Sequence, residues 1–252
     1  RSELPDMKKA FFRFSPELSI FLKVPLQDDT FEYEFNGPQS VKHLIEAVGV
    51  PHTEVSAIRV NGQTTGFDYL VLDGDQIEIL AYPALFSSEQ AQGEPRFILD
   101  NHLGKLASYL RMLGFDCLYQ NDYQDDELAQ IAQAENRILL TRDHRLLMRK
   151  SIQRGYWLRS QRPSQQLKEV ISRFNLRDKI MPFRRCMRCN QLLVPVPKET
   201  ILHRLQPLTK RYFDEFSICP DCNQIYWQGS HYNKMQKFIQ EITKPDSGRQ
   251  IE

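Results

Sequence analysis

The chain has 252 residues, enough for about two domains at roughly 150 residues each, with 41% hydrophobic and 26% charged residues and a mean hydropathy of −0.51. These values exclude a membrane protein and a wholly disordered chain. The net charge of +1 hides an asymmetry: residues 1–95 hold 7 Lys/Arg against 15 Asp/Glu, residues 96–252 hold 26 against 17, and residues 137–188 hold 15 against 3. Such a basic density attracts polyphosphate through counterion release, so nucleic acid is the expected partner of the back half, with a solvated Arg-rich face as the alternative. No secretory signal is visible, no apolar run approaches the ~20 residues of a bilayer span, and the cytoplasm is the expected compartment.

From Lys8 to Pro83 the pattern predicts short strands around one helix. Phe11 to Phe14 and Phe31 to Phe35 carry aromatics at strand spacing, and Asn36-Gly37-Pro38 is turn chemistry. Val41, Leu44, Ile45 and Val48 fall at i, i+3, i+4 and i+7, an apolar stripe that Ser40 can cap and Gly49 ends. Ala57 to Asn61, a turn at Gly62, and Asp73-Gly74-Asp75 before Gln76 to Ala81 complete a ββαββ order, so an α+β unit of β-grasp type is expected over 8–83. VNGQ (60–63) and LDGDQIEILAYP (72–83) resemble the last strands of ubiquitin-like sulfur carriers. Those carriers end in a free Gly-Gly, whereas here Tyr82-Pro83-Ala84-Leu85 continues into more protein. Docking or regulation is therefore expected of this module rather than sulfur chemistry. Residues 84–95, polar with Gly and Pro, read as a linker.

A second rhythm starts at Arg96. Phe97-Ile98-Leu99 is a short apolar run, followed by a helix with Leu103, Leu106, Leu110 and Leu113 on one side and Gly114 at its end. The unit repeats, with a strand over Phe115 to Tyr119, a helix over 123–136 carrying Leu128, Ile131 and Ala132, a strand over Ile138 to Leu140, and a fourth at Tyr156-Trp157-Leu158. Alternating βα units predict an α/β domain over 96–180, a parallel sheet flanked by helices whose ligands bind beyond the carboxyl ends of the strands.

That rule selects residues. Asp100 follows the first strand directly and Asp143 follows the third after Thr141-Arg142, so both are expected on one edge. Asp122 lies just beyond the second strand, and Asp125, Asp126 and Glu127 open the next helix near the same edge. Carboxylates brought together repel unless a cation sits between them, and hard oxygen ligands suit Mg²⁺ or Mn²⁺. Against this, Asp122 or Asp125 can cap the 123–136 helix and Asp100 the helix starting near His102. Asp143 is harder to assign to capping, because Arg142, His144 and Arg145 surround it.

The segments LDNHLGKLASYLRMLGFD, NDYQDDELAQIA and RILLTRDHRLL within 97–150 resemble the PIN-like ribonuclease domain named after the C-terminal region of the nematode exonuclease Mut-seven. The resemblance extends from Arg96 to about Met235, and the N-terminal unit is similar to the ubiquitin-like domain of bacterial members. It implies Asp100, Asp125 and Asp143 as ligands of Mg or Mn for RNA phosphodiester cleavage, with Asp122 a further catalytic candidate. Lys105, Arg142 and Arg145, beside that pocket, become candidates for holding the phosphate backbone, or are surface charges.

Five cysteines divide as Cys186-x-x-Cys189, Cys219-x-x-Cys222 and a lone Cys117. Two CxxC pairs supply four thiolates to one tetrahedral ion, so a closed, structural zinc site in a zinc ribbon over 181–244 is expected, rather than two redox dithiols. Cys117, within a strand, reads as a core residue. The 29 residues between the pairs are basic and proline-containing. After them, YWQGSHYNKM (226–235) resembles the closing motif of the same family. Tyr226, Trp227, His231 and Tyr232 offer faces for base stacking beside Arg184, Arg185 and Arg188. Alternatively Tyr226 and Trp227 cover the ribbon's small core, the role expected of Trp227. Residues 245–252 read as a flexible tail.

The expectation is a cytoplasmic, metal-dependent endoribonuclease acting on structured RNA such as transfer or ribosomal RNA, with the N-terminal domain available to a protein partner. The alternative is a non-catalytic RNA-binding adaptor whose acidic front domain recruits that partner. A phosphatase fits less well, because Asp100-Asn101-His102 lacks the second aspartate of DxD phosphatases.

Overall fold

The computed structural model describes residues 7–23, 30–82 and 94–243. The expected tail 245–252, most of the expected linker 84–95, and the side chain of His231 lie outside the described residues. Among the described residues no helix is long and apolar enough to cross a membrane.

The N-terminal sheet holds β1 (Lys8–Phe14), β2 (Thr30–Phe35), β3 (Val55–Val60), β4 (Gln63–Thr65) and β5 (Gln76–Ala81) in the order β2-β1-β5-β3-β4. β1 and β5 run parallel at its centre and the remaining pairs are antiparallel, the mixed β-grasp arrangement expected of the ββαββ order. Helix α1 (Val41–Ala47) starts where Ser40 Oγ accepts the His43 N–H at 3.3 Å, and it buries Val41, Leu44 and Ile45 against Phe12, Ile77 and Ile79. A 3-10 turn at Pro16–Phe21 was not expected; it sets Leu18 and Phe21 on one buried side within six residues, too short to show a helical stripe.

The central sheet contains β6 (Arg96–Leu99), β7 (Asp116–Leu118), β8 (Ile138–Thr141) and β9 (Gly155–Trp157), all parallel, in the order β7-β6-β8-β9. Strand alternation divides the side chains between two cores. Phe97, Leu99, Ile138 and Leu140 face α2 (Gly104–Met112) and α4 (Pro163–Arg173), whereas Ile98 and Leu139 face α3 (Asp125–Ala134). Burial on both faces is why these strands read as unbroken apolar runs. Leu103, Leu106, Leu110 and Leu113 are all buried, as their spacing required. Gly114, at φ +95°, ends the helical segment, and a Cβ there would come within 2.2 Å of the Met181 carbonyl, so only glycine lets the incoming chain cross.

The third sheet is antiparallel, β10 (Val194–Val196), β11 (Phe216–Ile218) and β12 (Ile225–Trp227). Two short helices, α5 (Lys198–Ile201) and α6 (Pro207–Tyr212), fill the basic insertion, and Ile201, Leu205, Phe216 and Ile225 form its core. The segment expected to be ribbon, 181–244, ends differently: α7 (Ser230–Thr243) packs Ile239 and Ile242 into the core of the central sheet, with Phe238 on Tyr109 at 4.8 Å between ring centres.

Both edges of the central sheet are covered, which removes two exposed strand templates. On β9, the Trp157 N–H donates to Glu54 of the N-terminal domain at 2.9 Å, and Glu54 also pairs with Arg159 at 3.2 Å. His52 bridges Glu46 and the Ile152 carbonyl, at 2.6 and 2.7 Å. On β7, the Cys117 N–H donates to Asn190 Oδ1 at 2.8 Å, and Arg111 Nε donates to the Cys117 carbonyl at 2.9 Å.

Candidate active site and candidate metal centre

The chain leaves β6 through α2 to reach β7 on one side and returns through α3 to β8 on the other side, so the connections diverge at the carboxyl ends of β6 and β8. In open parallel sheets such a switch point leaves a crevice for ligands. Asp100 and Asp143 lie at these two ends. Thr141, completely buried, joins them: its hydroxyl donates to Asp100 Oδ2 at 2.8 Å and accepts the Asp143 N–H at 2.9 Å. Asp143 Oδ1 in turn accepts the Arg145 N–H at 2.8 Å. Asp100 occupies the position before the 3-10 turn Asn101–Leu103, but its side chain makes no capping bond. The capping alternative for Asp100 is thereby corrected: the carboxylate is bonded to the neighbouring strand.

Asp125 opens α3 and stays exposed, paired with Arg149 at 3.5 Å, and Asp126 also binds Arg149. Gln124, not Asp122 or Asp125, is the cap residue, and its N–H donates to Glu127 at 2.9 Å. Neither aspartate therefore caps the helix, because the cap position falls two residues after Asp122 and one before Asp125. Asp122 is exposed and offers its carbonyl to the Gln124 amide at 3.0 Å. Asp100, Asp125 and Asp143 do not form a compact ligand group; among the described residues only the four cysteines do. Lys105, Arg142 and Arg145 are exposed. The Lys105 ammonium lies 5.1 Å from the centre of the Tyr109 ring, and the Arg142 carbonyl is fixed by Trp157 Nε1 at 3.0 Å.

The four thiols of Cys186, Cys189, Cys219 and Cys222 lie within 4.8 Å of one another. Sulfur separations of 3.5 Å for Cys186–Cys222 and 3.3 Å for Cys189–Cys219 approach the ~3.8 Å edge of a tetrahedron with Zn–S bonds of ~2.3 Å. Both knuckles fold alike. The Asn190 N–H returns to the Cys186 carbonyl and the Asn223 N–H to that of Cys219, each at 3.0 Å, with φ of 75° and 58° at the two asparagines. Asparagine tolerates that left-handed geometry. The donor set fits a structural zinc ion. Burial opposes ionisation of Cys186, but the Tyr226 hydroxyl at 3.1 Å and the knuckle N–H groups bring its thiol down to about 7. Burial pushes the Cys117 thiol up to about 12, which suits an inert core residue.

Two expectations for this region need revision. Trp227 does not cover a core; it is 39% exposed and leans on Phe216 at 6.3 Å. Tyr226 is committed to the cysteine cluster, its hydroxyl accepting the Met187 N–H at 3.1 Å, rather than open to a base. Arg184 and Arg185 are engaged inside the molecule. Both donate to the Gly114 carbonyl, at 3.1 and 3.3 Å; Arg184 also binds Glu94, and Arg185 reaches the Asn190 carbonyl and Asp116. Arg188 is exposed, with Gln224 at 3.4 Å. Tyr232 packs against Phe183, with ring centres 4.2 Å apart and the planes inclined at 36°. His231 lies on α7.

Thr141, Asn190 and Tyr226 hold positions that the strand and knuckle patterns alone do not assign. A hydroxyl after the apolar run Ile138-Leu139-Leu140, and an asparagine following each CxxC, are the signals that carry two of them.

The family model for the Mut7-C RNAse domain matches residues 95–239, and that for Mut7-C ubiquitin matches residues 7–89. Comparison with curated proteins gives no match. With a parallel sheet that joins two strand-end aspartates, a cysteine cluster behind it and a β-grasp sheet before it, the chain belongs to the Mut7-C RNAse domain family, which assigns it a ribonuclease-type function in general.

Proposed function

We propose that the chain is a PIN-like, divalent-metal-dependent endoribonuclease that cuts structured RNA of the transfer or ribosomal type in the cytoplasm. The observation that carries this reading is the pair of aspartates at the switch point, joined by one buried hydroxyl that donates to the Asp100 carboxylate and accepts the Asp143 backbone N–H. Their hard oxygens fit Mg²⁺ or Mn²⁺. Magnesium usually binds through one or two carboxylates with water and substrate phosphate completing its shell, so a compact three-carboxylate cage is not required. Asp125 would join on release from Arg149, with Asp122 the further candidate.

Bound there, a divalent cation would neutralise charge on the phosphate and lower the pKa of water. The protein supplies positioning. Thr141 fixes Asp100 and the backbone of Asp143, the Arg145 N–H fixes the Asp143 carboxylate, and Lys105 and Arg142 offer cationic groups to the scissile phosphate. Attack by water would leave 3′-hydroxyl and 5′-phosphate ends. The zinc-holding ribbon and Arg188 support RNA binding. The N-terminal domain, docked through His52 and Glu54, keeps Leu70 and Leu72 exposed for a protein partner.

The pairing of Asp125 with Arg149 favours a second reading, a non-catalytic RNA-binding adaptor. Incubating zinc-loaded wild type and Asp143→Asn with a structured-RNA pool in Mg²⁺, in Mn²⁺ and without divalent cation separates the two. Discrete metal-dependent cuts, lost in the variant, support the nuclease; equal RNA retention without cutting supports the adaptor.

A further inference from the structure

Two clefts join along one side of the molecule. The first, of about 180 Å³, follows a single face of α2, where Lys105, Ser108, Tyr109 and Met112 recur at helical spacing, and Lys234 of α7 stands opposite. The second, of about 340 Å³, is lined by Arg188, Gln224 and Trp227. Met187 and Met235 line both, so the two form one path. Its near end lies close to the switch point, because Lys105 is in the first turn of α2, just beyond Asp100. Along α2 the path runs about 10 Å at 1.5 Å per residue before it turns toward Trp227.

The chemistry of the lining is one-sided. Lys105, Lys234 and Arg188 are its charged residues, and no carboxylate lines either cleft. A neighbouring groove that also reaches Trp227, and shares Tyr226, Tyr232 and Met235 with the second cleft, carries Asp214 and Glu215, so a polyanion at Trp227 is favoured toward Arg188 and Lys234 and disfavoured toward those carboxylates. Trp227 is exposed and prepositioned, since Phe216 supports it and a Cβ at Gly229 would come within 2.7 Å of its Nε1. An indole face in a basic cleft is a platform for an unpaired base. A base inside a duplex is already stacked on both faces and cannot use it without leaving the helix.

We propose that this path seats a single-stranded RNA segment, with a base stacked on Trp227 and the backbone passing Lys234 and Lys105 toward Asp100. The proposal deepens the ribonuclease reading and rests on it: the substrate is cut in, or next to, an unpaired end or loop of a structured RNA. Lys234, Gln224 and Trp227 become binding residues, and the span from Trp227 to the carboxylates sets how much unpaired strand is needed.

The test uses the full zinc-loaded chain without Mg²⁺ or Mn²⁺, and a fluorescein-labelled RNA of about twelve nucleotides, within the range of single-strand site sizes. The strand is offered alone and annealed to its complement. Wild type is expected to bind the single strand more tightly than the duplex. Trp227→Ala is expected to weaken single-strand binding about ten-fold or more, with Trp227→Phe retaining most of it. Lys234→Ala is expected to lower the slope of log affinity against log salt by about 0.7. Zinc content and circular dichroism of each variant establish that it folds. Equal binding by wild type and Trp227→Ala, or tighter binding of the duplex, would overturn the proposal and leave the cleft to a protein. Because no cleavage is measured, this outcome is independent of the Asp143→Asn test.

Discussion

Asn190, which closes the first cysteine knuckle, donates its side-chain amide to Asp116 on the edge strand β7 at 2.9 Å. The same side chain accepts the Cys117 N–H, so one asparagine both turns the knuckle and extends the central sheet. Asp116 also takes the buried Arg137 guanidinium at 2.6 Å. The cysteine-bearing unit is thus joined to the sheet by a nearly closed polar network, whose members cost stability when left alone.

Asn190→Ala is expected to destabilise the chain by about 1–3 kcal/mol, the cost of unpaired buried polar groups. Asp116→Ala is expected to cost more, about 3 kcal/mol, because Arg137, Arg185 and Asn190 lose one shared acceptor together, although Arg137 keeps Glu135 at 2.7 Å. Denaturant unfolding of the zinc-loaded proteins measures both, and the order of the two variants is the decisive result.

The same carboxylate carries a pH dependence. Burial would raise its pKa, but the hydrogen bonds from Arg137 and Asn190, and then the Arg137 and Arg185 charges, outweigh burial and hold Asp116 below the usual carboxylate range. A depressed acid contributes stability in full above its unfolded pKa of about 4. That contribution is lost as pH falls through the lower folded value. With zinc saturating, the stability gap between wild type and Asp116→Asn should be constant near neutrality and shrink below about pH 4; a gap that grows on acidification would refute the assignment.

Zinc removal should unfold the C-terminal sheet, whose own core is only four residues, Ile201, Leu205, Phe216 and Ile225, with a few partly buried neighbours. One zinc per chain is expected, and stripping it or introducing Cys219→Ser should lower the melting temperature by at least about 10 °C. Metal analysis with thermal melts checks this; an unchanged melt after complete removal would assign the cysteines another role.

Glu54 is buried and bridges the Trp157 N–H and Arg159 across two domains. Glu54→Ala should cost about 1–3 kcal/mol and loosen the N-terminal domain from β9. Trp157 reports the change, since its ring packs on Phe21 at 5.1 Å and its fluorescence should shift toward that of exposed indole. His144 lies 6.4 Å from both Phe21 and Trp157, so the loop bearing Asp143 feels the same docking.

The parts legible in the sequence are those with a repeating signal. The β-grasp order, the apolar stripe from Leu103 to Leu113 and the strand-end positions of Asp100 and Asp143 all follow from periodicity and turns. The paired CxxC motifs announced their cluster by composition. What was not legible depended on long-range contact. Arg184 and Arg185 read as an open basic face, yet they fold back onto Gly114, seventy residues or more earlier. Trp227 read as core and is exposed because Phe216 and Gly229 support it from one side only. Helix α7 read as an extension of the ribbon, although Ile239 and Ile242 serve the central core. No local pattern distinguishes those destinations.

The central claim, catalysis by carboxylates at the end of β6 and β8, is tested most directly by mapping RNA ends produced by wild type and Asp100→Asn with Mn²⁺ titrated from zero. The account predicts metal-saturable cuts with 3′-hydroxyl and 5′-phosphate termini, reduced at least about a hundred-fold in the variant while RNA binding persists. Cutting that needs no divalent metal and leaves cyclic phosphates, or that survives undiminished in Asp100→Asn, would contradict it.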